Sequence, residues 1–223
     1  MSPMNTLTVR KVIFKTEELF ELQLERGNIQ FEPGACVALF SDSTESRPYS
    51  IAAGTGEEIL RFLIRRVPEG IVSNWLAQRQ PGDKVTASAP FGWFRPGHAV
   101  GSRSVFIATG TGIAPFLSYL RSNPQGAPEL CLYGVRRQLE AFNLEELQQI
   151  DNFYLALSQE DDNNHFHGRI NGLLEQIPFA DDIHYYLCGL DTMIDETSSW
   201  LENHGVAYTQ IHREIFFYED GQL

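Results

Sequence analysis

Three cysteines in 223 residues, Cys36, Cys131 and Cys188, are too few and too scattered for a zinc or iron–sulfur ligand set. No metal centre is expected, so one-electron chemistry would need an organic cofactor or a separate protein. The beginning, Met1 to Thr6, lacks a basic stretch followed by an apolar one. No signal peptide is therefore expected, and the odd number of cysteines points to reduced thiols in the cytoplasm. No run of about 18 apolar residues exists, which excludes a helical membrane span. Positive charge is scarce in one part of the chain only. Residues 1–100 carry 11 Lys/Arg against 11 Asp/Glu, whereas residues 101–223 carry 6 against 18, so the whole net charge of −12 lies in the second part. Without a basic stripe the chain is not expected to bind nucleic acid. An acidic protein partner would avoid the C-terminal part and dock nearer the neutral first part. Internal repeats and low-complexity stretches are also missing.

What is present is an ordinary globular composition, 43% hydrophobic and 21% charged, in a chain long enough for two domains of about a hundred residues each. The first hundred residues read as six short strands separated by turns: Leu7–Ile13, Leu19–Leu24, Ala35–Phe40 after Pro33-Gly34, Tyr49–Ala53, Glu58–Arg66, and Lys84–Ala89 after Pro81-Gly82-Asp83. That pattern predicts an antiparallel barrel, interrupted by one helix over Ser73–Gln80 with Ser73 as its N-cap. A Gly- and Pro-rich segment, Phe91 to Ser104, marks the junction between domain 1–100 and domain 101–223.

Beyond it strands and helices alternate. Strands are expected at Ser104–Thr109, Glu129–Tyr133, Phe153–Ser158, His184–Cys188 and Val206–His212, and helices at Ile113–Arg121, Leu144–Ile150, Ile170–Gln176 and Thr192–Asn203. Such units build an α/β domain with a parallel sheet, which takes ligands at the carboxyl ends of its strands.

Three stretches carry chemistry. In Arg47-Pro48-Tyr49-Ser50, Arg47 and Tyr49 share one face of a strand and Ser50 takes the other. A guanidinium suits a pyrophosphate and a phenol ring offers a flat face to an aromatic cofactor. Taken alone, the tetrapeptide is more simply a surface Arg and a core Tyr on a barrel strand. Gly70-Ile71-Val72-Ser73 opens the only helix of the first half, where free N–H groups attract a phosphate; a plain capped helix is the alternative. The strand ending at Thr109 runs into Gly110-Thr111-Gly112-Ile113-Ala114-Pro115, a glycine turn at the place where dinucleotide phosphates sit. It is not the full G-x-G-x-x-G fingerprint, because Pro115 occupies the third position.

In this order the motifs resemble the ferredoxin–NADP reductase family of FAD enzymes, of the bacterial ferredoxin/flavodoxin type, over essentially the whole chain. The resemblance implies that Arg47 meets the FAD pyrophosphate, Tyr49 the isoalloxazine and Ser50 the neighbourhood of flavin N5, with Pro48 between them. It implies a second FAD phosphate site at Gly70, Ile71, Val72 and Ser73, and an adenine side lined by Phe62, Leu63 and Ile64. Thr109, Gly110, Thr111, Gly112 and Pro115 match the family's nicotinamide-domain turn. Tyr186-Leu187-Cys188-Gly189, followed by Met193-Ile194, matches the strand whose Cys188-Gly189 end approaches the nicotinamide. Cys188 also reads as a small hydrophobe ending a buried strand. The ending His212 to Phe216 resembles a family Glu-x-Phe terminus, so that Phe216, Phe217 or Tyr218 would cover the flavin.

The implied reaction is hydride transfer between nicotinamide C4 and flavin N5, with single electrons passing to ferredoxin or flavodoxin; Ser50, Cys188 and Phe216 are the expected reaction-centre residues. Arg136, the Ser158-Gln159 pair and Arg169 match positions near the NADP 2′-phosphate. Gln159 stands where NADP-specific members often carry Arg, and Glu160-Asp161-Asp162 adds carboxylates, so NADP(H) is expected with NAD(H) as competitor. Two other readings remain: an NADH-dependent flavin or quinone reductase or oxygenase reductase component, and a non-enzymatic FAD-binding electron-transfer or regulatory subunit.

Overall fold

A computed structural model describes residues 4–42, 45–99 and 101–217. The chain forms two units. One takes the residues up to Arg95 together with Ala114–Pro124; the other takes Pro96–Ile113 and everything from Gln125 onward.

The first unit is an antiparallel sheet of β1 (Asn5–Phe14), β2 (Leu19–Glu25), β3 (Cys36–Phe40), β4 (Ser46–Ser50), β5 (Ile59–Arg65) and β6 (Lys84–Ala87), in the order β4-β3-β6-β1-β2-β5. A bridge between Ile51 and Phe62 joins the two outer strands and closes the barrel. Inward residues such as Val9, Leu22, Leu24, Val37, Leu39, Phe62, Ile64 and Val85 fill it. β1 alternates only in part because its pairing with β2 steps from Val9↔Leu24 to Lys11↔Gln23, leaving Arg10 as an extra residue.

Two elements differ from the sequence reading. β4 starts and ends earlier than Tyr49–Ala53, because its ladder to β3 runs from Phe40↔Ser46 to Cys36↔Ser50. Pro48, which cannot donate to a ladder, is tolerated on this outer strand. The helix α1 covers Ile71–Ala77, with Gly70 and not Ser73 at its N-cap. Ser73 Oγ instead accepts from Val67 N–H at 3.1 Å, and Asn74 Nδ2 donates to the carbonyls of Val67 and Gly70. Helix α2 (Ala114–Ser122) packs in this unit too: Ser118 Oγ donates to Ala53 O, Arg121 to Ala52 O, and Thr55 N–H to Ser122 Oγ, each at 2.8–2.9 Å.

The second unit is a parallel sheet. Its strands are β7 (Arg103–Thr109), β8 (Leu130–Val135), β9 (Phe153–Leu157), β10 (Phe166–His167), β11 (Ile183–Leu190) and β12 (Ile211–Phe217), ordered β10-β9-β8-β7-β11-β12. Helix α3 (Leu144–Leu147) follows β8, a 3₁₀ turn over Ile170–Gln176 follows β10, and α4 (Asp191–Asn203) links β11 to β12. One face buries Val105, Ile107, Leu130, Tyr185 and Leu187 against Leu173, Ile194 and Leu201. The last strand lies beyond the expected Val206–His212. Tyr208–Gln210 is a 3₁₀ turn whose Gln210 side chain donates to Ile183 O at 2.7 Å, so pairing begins only at Tyr185↔Ile211. The two-residue β10 carries no sequence signal of its own. Among the described residues no helix is long and apolar enough to cross a membrane.

Strand order makes one position special. The chain winds from β7 outward through β8, β9 and β10, then returns to β11 on the other side of β7. Between the carboxyl ends of β7 and β11 the winding reverses, and a crevice opens there in sheets of this kind.

Candidate active site

β7 delivers Thr109 to that reversal point, where the chain turns through the 3₁₀ segment Gly110–Ile113; β11 delivers Cys188 and Gly189 beside it. The two ends are locked together. Thr109 Oγ1 accepts from Leu190 N–H at 2.9 Å, and Tyr133 on β8 donates its hydroxyl to Gly110 O at 2.9 Å while accepting from Phe142 N–H. A Cβ on Gly112 would overlap the carbonyl of Cys188 and reach 2.7 Å from Gly189 Cα. Gly189 has φ +140°, and a Cβ there would collide with Thr109. The glycines therefore let the two strand ends pack main chain against main chain, with Gly112 and Gly189 buried in the contact and Thr109 and Gly110 left partly accessible beside it. Thr111 is buried within it, and Met193, one turn into α4, is buried in the core beneath. Pro115 is buried at the start of α2, in the first unit. Cys188 is fully enclosed.

On β12 the pairing steps from Gly189↔Ile215 to Leu190↔Phe217. Phe216 is the extra residue of this bulge, a device that re-aims a side chain next to functional sites. Tyr218 lies outside the described residues.

Farther along the same sheet, the segments after β8, β9 and β10 bring Arg136, Ser158, Gln159 and Arg169 together. Gln159 N–H donates to Arg136 O at 2.8 Å, Ser158 N–H to Val135 O, and Gly168 N–H to Leu157 O. All four side chains are exposed. The acidic run beside them is largely occupied: Glu160 accepts from Gln138 N–H at 2.7 Å, and Asp162 pairs with His165 Nδ1 at 2.6 Å while accepting from two main-chain N–H groups. The His165 contact holds the Asp162 carboxyl below its ordinary range.

In the first unit, the β3–β4 register puts Arg47 and Tyr49 on the face of Leu39 and Val37, and Ser50 on the face of Cys36. Arg47 and Pro48 are exposed; Tyr49 is half-buried against the core. Burial pushes the Tyr49 phenol well above its ordinary range, with Arg47 pulling the opposite way. Ser50 is 3% exposed, its Oγ 3.2 Å from Cys36 Sγ. The Ile51–Phe62 bridge ties this motif to β5, the strand that leads into α1. At α1 no side chain caps the N-terminus; Gly70 and Ile71 are accessible, while Val72 and Ser73 turn inward. Phe62 and Ile64 belong to the barrel core, and Leu63 is buried on the opposite face. An accessible guanidinium, a phenol ring, an inward hydroxyl and an uncapped helix end are the donor set that a flavin dinucleotide needs.

Sequence reasoning missed Cys36 and Tyr133 as members of these sites. Neither has a local signal: Cys36 acquires its role from a neighbour 14 positions away across a ladder, and Tyr133 from a turn on the adjacent strand. It also missed a stack of His184, Tyr186 and His212, with His98 edge-on to His212.

Comparison with known proteins agrees with this geometry. Residues 5–95 match the oxidoreductase FAD-binding domain and residues 106–199 the oxidoreductase NAD-binding domain. The chain is 28% identical over 226 residues to the reductase component of propane 2-monooxygenase from Mycolicibacterium goodii, covering 91% of this chain and 64% of that one. It is 31% identical over 207 residues to the anthranilate 1,2-dioxygenase electron transfer component from Acinetobacter baylyi, covering 84% and 59%. The chain thus spans roughly half to two thirds of the length of such relatives. Among solved structures, a cytochrome P450 reductase from Amycolatopsis superposes with TM-score 0.83 at 27% identity, covering 97% of this chain and 71% of that one. A ferredoxin NADP+ reductase from Neisseria gonorrhoeae shares the fold with TM-score 0.88 at 21% identity, covering 97% and 100%. With both domain signatures in sequence, each fold matched and the motifs at the expected strand ends, the chain belongs to the ferredoxin–NADP reductase family of flavoprotein oxidoreductases, which bind FAD and a nicotinamide nucleotide.

Proposed function

We propose that this protein moves electrons between NADP(H) and a one-electron carrier protein such as ferredoxin or flavodoxin, by hydride transfer between nicotinamide C4 and flavin N5. The observation that carries the reading is the glycine-tight junction of Thr109–Gly112 with Cys188–Gly189 at the reversal of a parallel sheet. Residues 1–100 hold FAD and residues 101–223 the nicotinamide nucleotide. Bound FAD supplies hydride acceptance and the release of single electrons. The chain's own residues bind and orient. Arg47 neutralises the pyrophosphate, Tyr49 presents its ring to the isoalloxazine, Ser50 faces N5, and the end of α1 holds a phosphate through Gly70 and Ile71. Leu63 and the main chain of Phe62–Ile64 border the adenine. Thr109 to Gly112 cradle the nicotinamide nucleotide, Cys188 and Gly189 limit how deeply it enters, and Phe216 shields the flavin until the nucleotide displaces it.

For the nucleotide, Arg136 and Arg169 flank Ser158-Gln159, while Glu160 is engaged by Gln138 N–H and Asp162 is turned into its own loop. This supports a phosphate-accepting edge and hence NADP(H). The reduced state of the three buried thiols supports a cytoplasmic setting. A second reading is an NADH-dependent reductase component that serves an oxygenase; the names of the relatives support its oxygenase part.

Steady-state reduction of ferricyanide with NADPH and with NADH, on protein that keeps FAD through gel filtration, decides between them. A preference for NADPH supports the first reading, and a large preference for NADH supports the second. Loss of FAD on the column would make flavin a substrate, and no oxidation of either nucleotide would make the protein a non-enzymatic subunit.

A further inference from the structure

Three glycines meet where β7 and β11 end, and they serve different purposes. Gly112 and Gly189 leave no room for a side chain, because a Cβ on either would collide with main chain or with Thr109. Gly110 is unlike them. A Cβ there would meet nothing within 4 Å, yet its φ is +54°, in the left-handed region. Steric exclusion at this Cα therefore does not hold the peptide, and glycine permits rotation at little cost. Gly110 is also partly accessible. Its restraint comes from the neighbouring strand. Tyr133 on β8 is the register partner of Ala108 on β7, and its ring reaches past the strand end to the turn. There the fully enclosed phenol donates to Gly110 O at 2.9 Å.

The direction of that bond is set by the chemistry on both sides. The Phe142 main-chain N–H, which can only donate, reaches Tyr133 Oη at 3.3 Å, and the Gly110 carbonyl can only accept. The hydroxyl hydrogen therefore points at Gly110 O. In this way an enclosed hydroxyl turns the carbonyl of an accessible glycine toward the interior. For an anionic ligand the orientation matters. A carbonyl oxygen is the negative end of the peptide dipole, and turned outward it would oppose a pyrophosphate lying on the turn. Held on Tyr133, it does not. Phe142 also closes the segment that begins at Arg136, whose carbonyl accepts from Gln159 N–H at 2.8 Å. The same hydroxyl thus links the turn to the edge that carries Arg136.

We infer that Tyr133 is a positioning residue for the nicotinamide nucleotide, holding the Gly110 carbonyl inward so that the turn receives phosphate without a facing carbonyl. The inference rests on the reading that Thr109 to Gly112 cradle the nucleotide. It is tested on the FAD-loaded protein by comparing the parent with Tyr133→Phe in steady-state ferricyanide reduction, with NADPH and with NADH. Tyr133→Phe is expected to raise KM for both nucleotides by the same factor, about threefold to tenfold, the value of one hydrogen bond. The kcat at saturating nucleotide, FAD retention and the flavin midpoint potential without nucleotide should stay as in the parent, because the lost interaction acts alike on bound nucleotide and transition state. A fall in kcat and FAD retention together with affinity overturns the inference in favour of structural support. An unchanged KM overturns it too, as does a rise for NADPH alone, which would place the hydroxyl's effect at the Arg136 edge. A second measurement needs no variant: crystal structures of the parent with and without NADP+. Gly110 O is expected on the Tyr133 hydroxyl in both. A carbonyl that leaves the hydroxyl when nucleotide binds overturns the inference alone. Nucleotide bound away from Thr109 to Gly112 overturns the placement of the nucleotide and the inference with it.

Discussion

On β4 the groups proposed to meet a ligand are side chains: a guanidinium, a phenol and a hydroxyl on an outer strand of an antiparallel barrel. Where β7 and β11 end they are main-chain groups of Thr109 and Gly110, partly accessible beside two glycines that are buried where the strand ends pack. The first arrangement separates binding from folding, since Arg47 is exposed and Tyr49 only half-buried. The second fuses them, since Gly112 and Gly189 are also where two strand ends pack. Damage at the two places should therefore differ in kind as well as in size.

The largest effect is expected at the fused place. Gly189→Ala puts a Cβ against Thr109 at φ +140° and should cost about 2–4 kcal/mol of stability, from overpacking together with backbone strain. Urea unfolding measures it, and a variant as stable as the parent would break the comparison. Next comes the side-chain place. Arg47→Ala should weaken FAD binding by about tenfold to a hundredfold, as loss of a charged hydrogen bond does, with the unfolding midpoint of the apoprotein unchanged. Fluorescence titration with FAD reads the first quantity, and a variant that stays fully yellow after gel filtration contradicts the assignment. Smaller still, Arg136→Ala and Arg169→Ala should each raise the KM for NADPH by about threefold to tenfold while leaving that for NADH nearly unchanged. Equal effects on both nucleotides would remove the phosphate role.

The smallest effect concerns acid. Burial, with help from His184 and His98, lowers the His212 pKa to about 4. The unfolded chain then takes up a proton before the folded one does, so stability is full above about pH 6.5 and declines as pH falls from there to about 4. His212→Gln should flatten that decline. If unfolding midpoints at pH 7 and pH 5 respond alike in parent and variant, the histidine stack is not the acid-sensitive element of the second unit.

Much of this was legible beforehand. The barrel and the parallel sheet followed from turn spacing and from strand–helix alternation, which are local. What stayed hidden depended on partners distant in sequence. α1 begins at Ile71 because Ser73 is recruited by Val67 and not by the helix end. β12 begins at Ile211 because Gln210 is anchored to β11. Phe216 stands out only through a register step that no single strand displays, and the Cys36–Ser50 contact exists only once β3 and β4 are paired. The carboxylates of Glu160 and Asp162, which in sequence argue against a phosphate, are redirected by loop N–H groups that become visible only in the fold.

The path of α2 has a practical side. The chain leaves the first unit near Arg95, builds one strand and a turn elsewhere, then returns to lend Ala114–Pro124 before departing again. A fragment cut near residue 100 would lose the hydroxyl of Ser118 and the guanidinium of Arg121, stranding the carbonyls of Ala53 and Ala52. Exchange of flavin modules between such reductases therefore calls for a graft in two pieces, the barrel with its borrowed helix; a single crossover at the apparent junction would leave the segment beside the closing bridge without its helix contacts.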